Sequence, residues 1–313
     1  MKYNRLAPGL PDVSEIGLGA WQLGVNSGWR GMSEKEATDL VHAALDLGVN
    51  FFDTAPNYGL GTSEKRLGKA LGIVDRSKIV INTKFGHSAK GEFNFEAGYL
   101  RESLEGSLKR LQTDYVDSIL LHNPPGDLLD GHKNPHFEIL ERLKEEGKIR
   151  AYGASLDTYE EIKLLMETTG SEVIEAFFNI LHQDTARAFP LAQKKGVGII
   201  VKIPLDSGWL SGKYGPDSTF DGVRSRWSRS DIETRASLVD EIRDIIGDDY
   251  DLSRAAISFC LSYDAVSTVI PGNSTMGQLL KNTESIEQPL PGDLVEKLER
   301  FYREKVRNLN LPW

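Results

Sequence analysis

The stretch Gly48-Val49-Asn50-Phe51-Phe52-Asp53-Thr54-Ala55-Pro56-Asn57-Tyr58-Gly59 carries the pattern that decides the fold. In it, a short apolar run ends at an acid, Asp53, and a turn signal then leads to a tyrosine, Tyr58. An apolar run followed by a polar residue occurs twice more along the chain. Lys84 follows Ile79–Thr83, and His122 follows Val116–Leu121. Short apolar runs between turn signals indicate buried strands, and each of these strands ends in a polar side chain.

Eight strand-like runs alternate with helical stretches along the chain. The runs are Glu15–Gly19, Asn50–Asp53, Ile79–Thr83, Val116–Leu121, Arg150–Ala154, Val173–Phe177, Gly198–Ile203 and Ser267–Ile270. The helical stretches are Ser33–Leu47, Ser63–Leu71, Phe95–Leu111, Phe137–Glu146, Tyr159–Thr168, Thr185–Lys195, Thr234–Ile246, Met276–Ser285 and Gly292–Arg303, with Ser33 and Ser63 as expected N-caps.

This alternation predicts an α/β protein of parallel βαβ units, and eight units close a (β/α)8 (TIM) barrel. The alternative is an open doubly wound sheet, whose nucleotide-binding form requires a G-x-G-x-x-G motif. The early segment Gly17–Gln22 lacks the third glycine of that motif. We therefore expect one barrel domain over residues 1–313, with its active site at the C-terminal rim of the strands.

Composition and charge limit the molecules that the protein is expected to bind and the compartment in which it is expected to work. The 313 residues carry a net charge of −9, which argues against nucleic acid, because phosphate binding needs clustered Lys and Arg. Cys260 is the only cysteine, so an internal disulfide is excluded. The N-terminal segment lacks the apolar core of a secretory signal, and the chain has no run of about 18 apolar residues. We expect a cytoplasmic protein with no membrane partner, and the spacing of the six histidines predicts no metal site.

Two predicted connections are long, residues 85–94 and residues 205–233, and the second follows the seventh strand. Long connections in a compact domain are usually lids or binding loops. The second contains Trp209 and Trp227, which favours a lid over a loose surface insertion.

The polar residues at the strand ends form a coherent chemical set. Singly, Asp53, Tyr58, Lys84 and His122 are each better explained by a turn, by packing or by a structural or solvated surface position. Their common position at one rim, where the fifth strand adds Ser155, indicates a site. A lysine ammonium next to a tyrosine is expected to lower the phenol's pKa from about 10, and an aspartate keeps that lysine charged. Such a phenol is a general acid, with the histidine hydrogen-bonding the neighbouring oxygen.

These residues, together with Ser63–Gly68, Thr83-Lys84, Leu121-His122, Gly153–Ser155 and Ile270–Gly272, resemble the aldo-keto reductase family in content and order from about residue 15 to 285. The resemblance implies a barrel that binds NAD(P)H across its C-terminal rim. It implies hydride transfer from nicotinamide C4 to an aldehyde, ketone or sugar carbonyl, or the reverse oxidation of an alcohol. Tyr58 would then be the general acid, with Lys84 and His122 tuning it and Asp53 holding Lys84.

The resemblance also implies cofactor contacts. The residues at matching positions are Gly19, Ala20, Trp21, Ser155, Glu175, Lys202, Pro204, Leu205, Ser207, Gly208, Leu210, Gly272, Asn273, Ser274, Gln278 and Asn282. Three positions depart from the family pattern: Leu156 replaces a frequent Asn, Glu175 an expected glutamine, and Lys202 an aromatic residue or Arg. The segment 272–278 offers hydroxyls and amides but no Lys or Arg for a 2′-phosphate, so NADPH and NADH both stay open, with family habit favouring NADPH.

The expected substrate is a small carbonyl compound in an apolar pocket formed by Trp21, Trp29, Phe85, Tyr152 and Trp209. Two other functions are compatible with a barrel. One is a nicotinamide-binding regulatory or sensor protein, which has no need of a tuned acid. The other is an isomerase with Lys84 as a Schiff base, which a charge-holding Asp53 disfavours. We expect a monomer or a weak homo-oligomer.

Overall fold

The computed structural model describes residues 1–24, 31–309 and 311–312, apart from the side chain of Val223. A short antiparallel hairpin, β1 (Tyr3–Asn4) and β2 (Val13–Ser14), precedes the barrel. Eight parallel strands follow in one sheet, in sequence order. They are β3 (Leu18–Gly19), β4 (Phe51–Asp53), β5 (Val80–Phe85), β6 (Val116–His122), β7 (Ile149–Leu156), β8 (Val173–Phe177), β9 (Gly198–Lys202) and β10 (Val266–Ile270).

The sheet closes on itself between its first and last strands. The Gly17 amide donates to the Val269 carbonyl at 2.8 Å, and the Val269 amide donates to the Glu15 carbonyl at 2.9 Å. Parallel bridges Ile16–Val269 and Gly19–Gly272 continue this seam. The predicted (β/α)8 barrel is therefore confirmed, and the open doubly wound sheet is excluded.

Helices separate the strands. They are α1 (Trp21–Gly24), α2 (Glu34–Asp46), α3 (Thr62–Leu71), α4 (Leu100–Leu111), α5 (His136–Glu145), α6 (Tyr159–Thr168), α7 (Phe189–Lys195), α8 (Arg229–Ile246), α9 (Leu252–Leu261), α10 (Met276–Thr283) and α11 (Gly292–Phe301). Short 3-10 helices span Arg76–Lys78, Ala97–Tyr99, Gly126–Leu129, Asp184–Ala188, Asp206–Ser211, Gly222–Arg224 and Glu284–Glu287, and a π-helical turn spans Tyr302–Val306. None of the helices in the described part of the chain combines the length and apolar character needed to cross a bilayer.

The core has two layers, as strand alternation in a barrel requires. Inward-facing residues such as Phe51, Val80 and Leu120 fill the barrel, and Leu6 and Val13 from the hairpin region close its N-terminal end. A larger layer lies between the outer faces of the strands and the surrounding helices. With one end of the barrel plugged, the polar strand ends are left to form a site at the other end.

Local expectations hold in part. Ser33 caps α2 in a capping box with Glu36, as predicted. The expected Ser63 cap is wrong, because α3 begins at Thr62 and the Ser63 hydroxyl donates to the Ala20 carbonyl at 2.7 Å. This bond ties α3 to the segment that follows β3, which places the turn carrying Tyr58 over the rim.

The long connection after β9 is packed rather than loose. Its first part, residues 205–228, is called the strap here, and α8 begins directly after it. Trp209 lies at the centre of an aromatic cluster, with ring centroids 5.5 Å from Tyr214, 5.7 Å from Phe220 and 5.9 Å from Trp227. Burial of these rings gives the strap a core of its own.

Candidate active site

Lys84 stands at the centre of the site. Strand β5 carries its side chain into the barrel, where it is fully buried. Its Nζ lies 2.6 Å from Asp53 Oδ1 at the end of β4 and 3.4 Å from Tyr58 Oη, and it donates to the Thr54 carbonyl at 3.2 Å. Three of the four residues predicted from the strand ends are therefore in direct contact.

Asp53 is held by a chain of side chains inside the barrel. Asn82 Nδ2 donates to Asp53 Oδ1 at 2.7 Å, and Ser118 Oγ donates to Asn82 Oδ1 at 2.6 Å. The sequence interpretation missed Asn82 and Ser118. The available signal was strand periodicity, since Asn82 and Lys84 are two residues apart on β5 and so share its inner face.

Tyr58 and His122 complete the group. The Tyr58 ring is buried, with its centroid 5.1 Å from that of Trp21 and 5.9 Å from that of His122, which it meets edge-on. His122 ends β6, and its buried Nδ1 has no hydrogen-bond partner among the described residues. The structure thus brings all four predicted residues together.

A second histidine, His87, stacks on His122 with ring centroids 4.2 Å apart. It follows Gly86, whose φ of 111° suits a residue without a Cβ and turns the chain back over the rim. Burial lowers the pKa of His87 to about 4 and takes the pKa of His122 well below its usual value, with nearby lysines adding to both effects. Both rings are therefore neutral at physiological pH. Sequence reasoning missed His87 because it lies beyond the strand end.

Glu175 extends the charge cluster across the barrel. Its Oε2 lies 3.1 Å from Lys84 Nζ, and its Oε1 accepts from Ser155 Oγ at 3.0 Å. Lys202 Nζ in turn donates to Ser155 Oγ at 2.8 Å and lies 2.8 Å from Asp157 Oδ1. The residues expected to contact a cofactor therefore form one network with the residues expected to carry out proton transfer.

The electrostatics of this cluster correct one expectation. Burial raises the pKa of Tyr58 above its usual value, and the lowering effect of the Lys84 ammonium does not overcome it. Burial and the neighbouring Glu175 carboxylate raise the pKa of Asp53 to about 7. The Asp53 and Glu175 carboxylates outweigh burial for Lys84 and raise its pKa. The phenol therefore stays protonated, and the lysine stays charged, at neutral pH.

A cavity of about 550 Å³ opens onto Asp53, Tyr58 and His122, while Lys84 lies buried behind them. Its lining includes ten of the residues expected to contact a cofactor: Gly19, Trp21, Glu175, Lys202, Leu205, Ser207, Gly208, Gly272, Gln278 and Asn282. The others lie behind this surface and are buried: Ala20, Ser155, Pro204, Leu210, Asn273 and Ser274. Among these, the Ser274 hydroxyl has no hydrogen-bond partner in the described chain.

The expected aromatic substrate pocket needs correction. Trp21 lines the cavity, but Phe85 points outward, because Lys84 takes the inner face of β5 and side chains alternate along a strand. Tyr152 is buried and donates to Glu141 at 2.5 Å, and Trp209 is buried in the strap cluster. Trp29 lies outside the described residues.

The strap brings cations to the cavity that sequence reasoning did not assign. Lys213, Arg224 and Arg226 line it, and Arg224 Nε donates to the Ser207 carbonyl at 3.1 Å. The backbone beside them is strained, since Ile203 and Ser207 have φ values of 57° and 55°. Non-glycine residues held in this region are concentrated at ligand-binding sites.

A further cation reaches the cavity from α10. Lys281 lines it, and its Nζ lies 2.8 Å from Asp251 Oδ2. The predicted segment 272–278 lacked a cation, and Lys281 supplies one three residues after Gln278, on the next turn of the same helix. Among the described residues, no group of three or more His, Cys, Asp or Glu side chains is arranged to hold a metal ion.

Comparison with known proteins agrees with this geometry. The Aldo/keto reductase family model matches residues 15–303. The chain is 29% identical over 311 residues to L-galactose dehydrogenase of Arabidopsis thaliana, covering 96% of this chain and 93% of that protein. It is 30% identical over 228 residues to the NADH-specific methylglyoxal reductase of Escherichia coli, covering 68% of this chain and 70% of that protein.

Among solved structures, the holo form of an aldo-keto reductase from Bacillus halodurans matches with a TM-score of 0.82 at 29% identity, over 100% of both chains. The family model covers nearly the whole barrel, from the segment that forms the closing seam to the last helix. This chain therefore belongs to the aldo/keto reductase family, and it is an oxidoreductase.

Proposed function

We propose that the protein reduces a small aldehyde, ketone or sugar carbonyl with NAD(P)H, or oxidises the corresponding alcohol, and that Tyr58 is its general acid. The single observation that carries this assignment is the contact between Tyr58 Oη and the Lys84 ammonium, 3.4 Å apart inside the barrel. A buried phenol beside a buried ammonium has little structural value, because both groups lose solvation there. Proton transfer gives the pair a purpose.

The residues have separable roles in this proposal. Tyr58 donates its proton to the carbonyl oxygen, and Lys84 stabilises the phenolate that remains. Asp53 keeps Lys84 in place and charged through the 2.6 Å ion pair. His122, which is neutral and lines the cavity beside Tyr58, hydrogen-bonds the same oxygen and orients it.

Nicotinamide supplies the hydride when it is bound, and the lining of the cavity fits such a cofactor. Lys213, Arg224 and Arg226 offer positive charge for a pyrophosphate, since Arg and Lys are the usual phosphate partners in proteins. Ser274 Oγ is a buried polar atom without a hydrogen-bond partner in the described chain, and such atoms normally find one.

We further propose that NADPH is bound more tightly than NADH. Lys281 supports this preference, because its ammonium lies on the cavity wall beside Gln278 and Asn282. When NADPH binds, the Lys281 ammonium would leave Asp251 and pair with the 2′-phosphate instead, so the lysine would keep an ionic partner. Titration of the tryptophan fluorescence with each cofactor measures the two dissociation constants, and equal or reversed affinities would overturn this preference.

The test of the general acid is Tyr58→Phe, with Tyr263→Phe as a matched control. We expect Tyr58→Phe to lower kcat by about 10²- to 10⁴-fold, because that is the usual contribution of a positioned acid. Cofactor affinity should stay within about threefold, since the phenyl ring retains its packing on Trp21. Tyr263 donates a partly buried hydrogen bond to Glu299 at 2.7 Å and lies outside the cavity lining.

A panel of aldehydes, ketones and open-chain sugars provides the substrates for this comparison. Full turnover in Tyr58→Phe, or an equal loss in Tyr263→Phe, would reject the assignment of the acid. Tight cofactor binding by the wild type without turnover of any member of the panel would instead favour the regulatory alternative.

A further inference from the structure

Glu175 has a relation to Lys84 that its expected role as a cofactor contact does not explain. Its side chain is 3% exposed and comes from β8, across the barrel from β5. One oxygen, Oε1, is anchored by Ser155, while Oε2 lies 3.1 Å from Lys84 Nζ and has no hydrogen-bond partner in the described chain. Lys84 therefore stands between two carboxylates, at 2.6 Å from Asp53 and 3.1 Å from Glu175.

From this geometry we infer that Glu175 is a positioning residue of the proton-transfer group, which acts on Tyr58 through Lys84 and sets how readily the phenol gives up its proton. The inference rests on the proposed role of Tyr58 as the acid. It assigns to Glu175 a second task beside any contact with a cofactor.

The Glu175 carboxylate lies close enough to Tyr58 for its charge to change the pKa of the phenol strongly. Glu175 Oε2 and Tyr58 Oη both contact Lys84 Nζ, at 3.1 Å and 3.4 Å, so the two oxygens are at most about 6.5 Å apart. A negative charge at that range opposes formation of the phenolate. With the effective dielectric constant of about 20 that suits protein sites, the opposition corresponds to about two units in the pKa of Tyr58. Glu175 thus offsets part of the help that Lys84 gives.

Other titratable and charged side chains surround Lys84, Tyr58 and Glu175. Their charge states determine the pH range in which the effect of Glu175 on Tyr58 can be measured. The titratable and charged side chains around Lys84, Tyr58 and Glu175 are Asp53 from β4, His87 after β5, His122 from β6, Asp157 after β7 and Lys202 from β9. Both histidines are already neutral, and Asp53, with its pKa of about 7, is ionised above pH 8. In alkaline solution, the removal of the Glu175 charge therefore acts on Tyr58 without compensation from Asp53.

The test is Glu175→Gln, which removes the charge and keeps the shape. Carbonyl reduction needs protonated Tyr58, so its rate falls as the pH rises through the pKa of the phenol. We expect this descending limb of kcat to lie about two pH units lower in Glu175→Gln than in the wild type. Glu175→Asp, which keeps the charge but withdraws it by one methylene, should lie between them and serves if the glutamine variant folds poorly.

Asp157→Asn is the matched control, because Asp157 pairs with Lys202 at 2.8 Å and does not contact Lys84. Its descending limb should shift by less than half as much. The inference would be overturned if the fall of kcat at high pH occurred at the same pH in Glu175→Gln as in the wild type, or if Asp157→Asn shifted it equally. A lower kcat/KM in Glu175→Gln would not rescue the inference.

A measurement without turnover separates this inference from the proposed function. Ring-labelled tyrosine gives an NMR signal for the Tyr58 phenolate, identified by its loss in Tyr58→Phe. We expect that signal to titrate at lower pH in Glu175→Gln than in the wild type. If it does so while no carbonyl is reduced, the proposed function fails and the role of Glu175 stands. If reduction proceeds and neither the limb nor the signal moves, the reverse holds.

Discussion

Asp53 should make the fold less stable at the pH where its carboxylate is charged, which is the form that the proposed function requires. Its pKa is about 7 in the folded protein, against an ordinary value of 3.8, because burial and Glu175 both disfavour the carboxylate. A group with a raised folded pKa stabilises the native state fully below its unfolded pKa, and this stabilisation is lost as the pH rises through the folded value. The shift of about three units corresponds to on the order of 4 kcal/mol in all, of which about 3 kcal/mol falls between pH 5 and pH 8.

Asp53→Asn removes this titration and is otherwise close in shape. A chain of 313 residues has an unfolding entropy of roughly 0.7 kcal/mol/K, so 3 kcal/mol corresponds to about 4 °C in the unfolding midpoint. We therefore compare the unfolding temperature of Asp53→Asn with that of the wild type at each pH. The difference, variant minus wild type, should be about 4 °C more favourable to the variant at pH 8 than at pH 5, while turnover falls. Thermal unfolding followed by circular dichroism at both pH values measures it.

Asp231→Asn provides the control. Asp231 accepts from the Ser228 backbone amide and hydroxyl at the start of α8, and these hydrogen bonds hold its pKa below the usual value. It is ionised in the folded and unfolded chains from pH 5 to pH 8, so its difference from wild type should not change with pH. If Asp53→Asn behaves in the same way, or loses stability at pH 8, then the 2.6 Å pair with Lys84 stabilises the fold and the reasoning about Asp53 is refuted.

Three further outcomes are expected. Lys84→Met should lower kcat by about 10²- to 10⁴-fold in steady-state assays, because the phenolate loses its neighbouring cation; a loss below tenfold would mean that the lysine and the phenol are not coupled. Ser274→Arg should raise the NADPH-to-NADH affinity ratio in fluorescence titrations, and an unchanged ratio would place the adenosine phosphate elsewhere. Asp53→Asn/Glu175→Gln should be less active than the product of the two single effects on kcat gives, because only the double variant leaves Lys84 without a carboxylate; a simple product would show that the two carboxylates act independently.

The barrel could be predicted because its signal is repeated. Each strand is a short apolar run, and eight such runs alternate with helices, so an error of a residue or two at one boundary does not change the count. The elements that were missed lack a repeated signal. The β1–β2 hairpin has two residues per strand, and α9 is apolar on nearly every face, so it shows no stripe.

The residues of the candidate site likewise fall into those that a sequence pattern predicts and those that it does not. Asp53, Lys84 and His122 were found because a parallel barrel gathers the ends of its strands at one rim. Phe85 was misplaced because its neighbour Lys84 occupies the inner face of the strand. The contact between Glu175 and Lys84 joins two residues 91 positions apart in the sequence, and no local pattern encodes the distance between them.

The charges of this molecule are arranged in two groups with different tasks. Lys84 and its two carboxylates are buried at the end of the barrel, where a low dielectric makes each charge act strongly on Tyr58. The strap cations Lys213 and Arg226 lie on the cavity wall and are more accessible to solvent, where they suit binding of an anionic molecule. Salt screens the second group far more than the first. Ionic strength should therefore act on cofactor affinity, whereas pH acts on the proton transfer, and the fold keeps the two groups on separate elements.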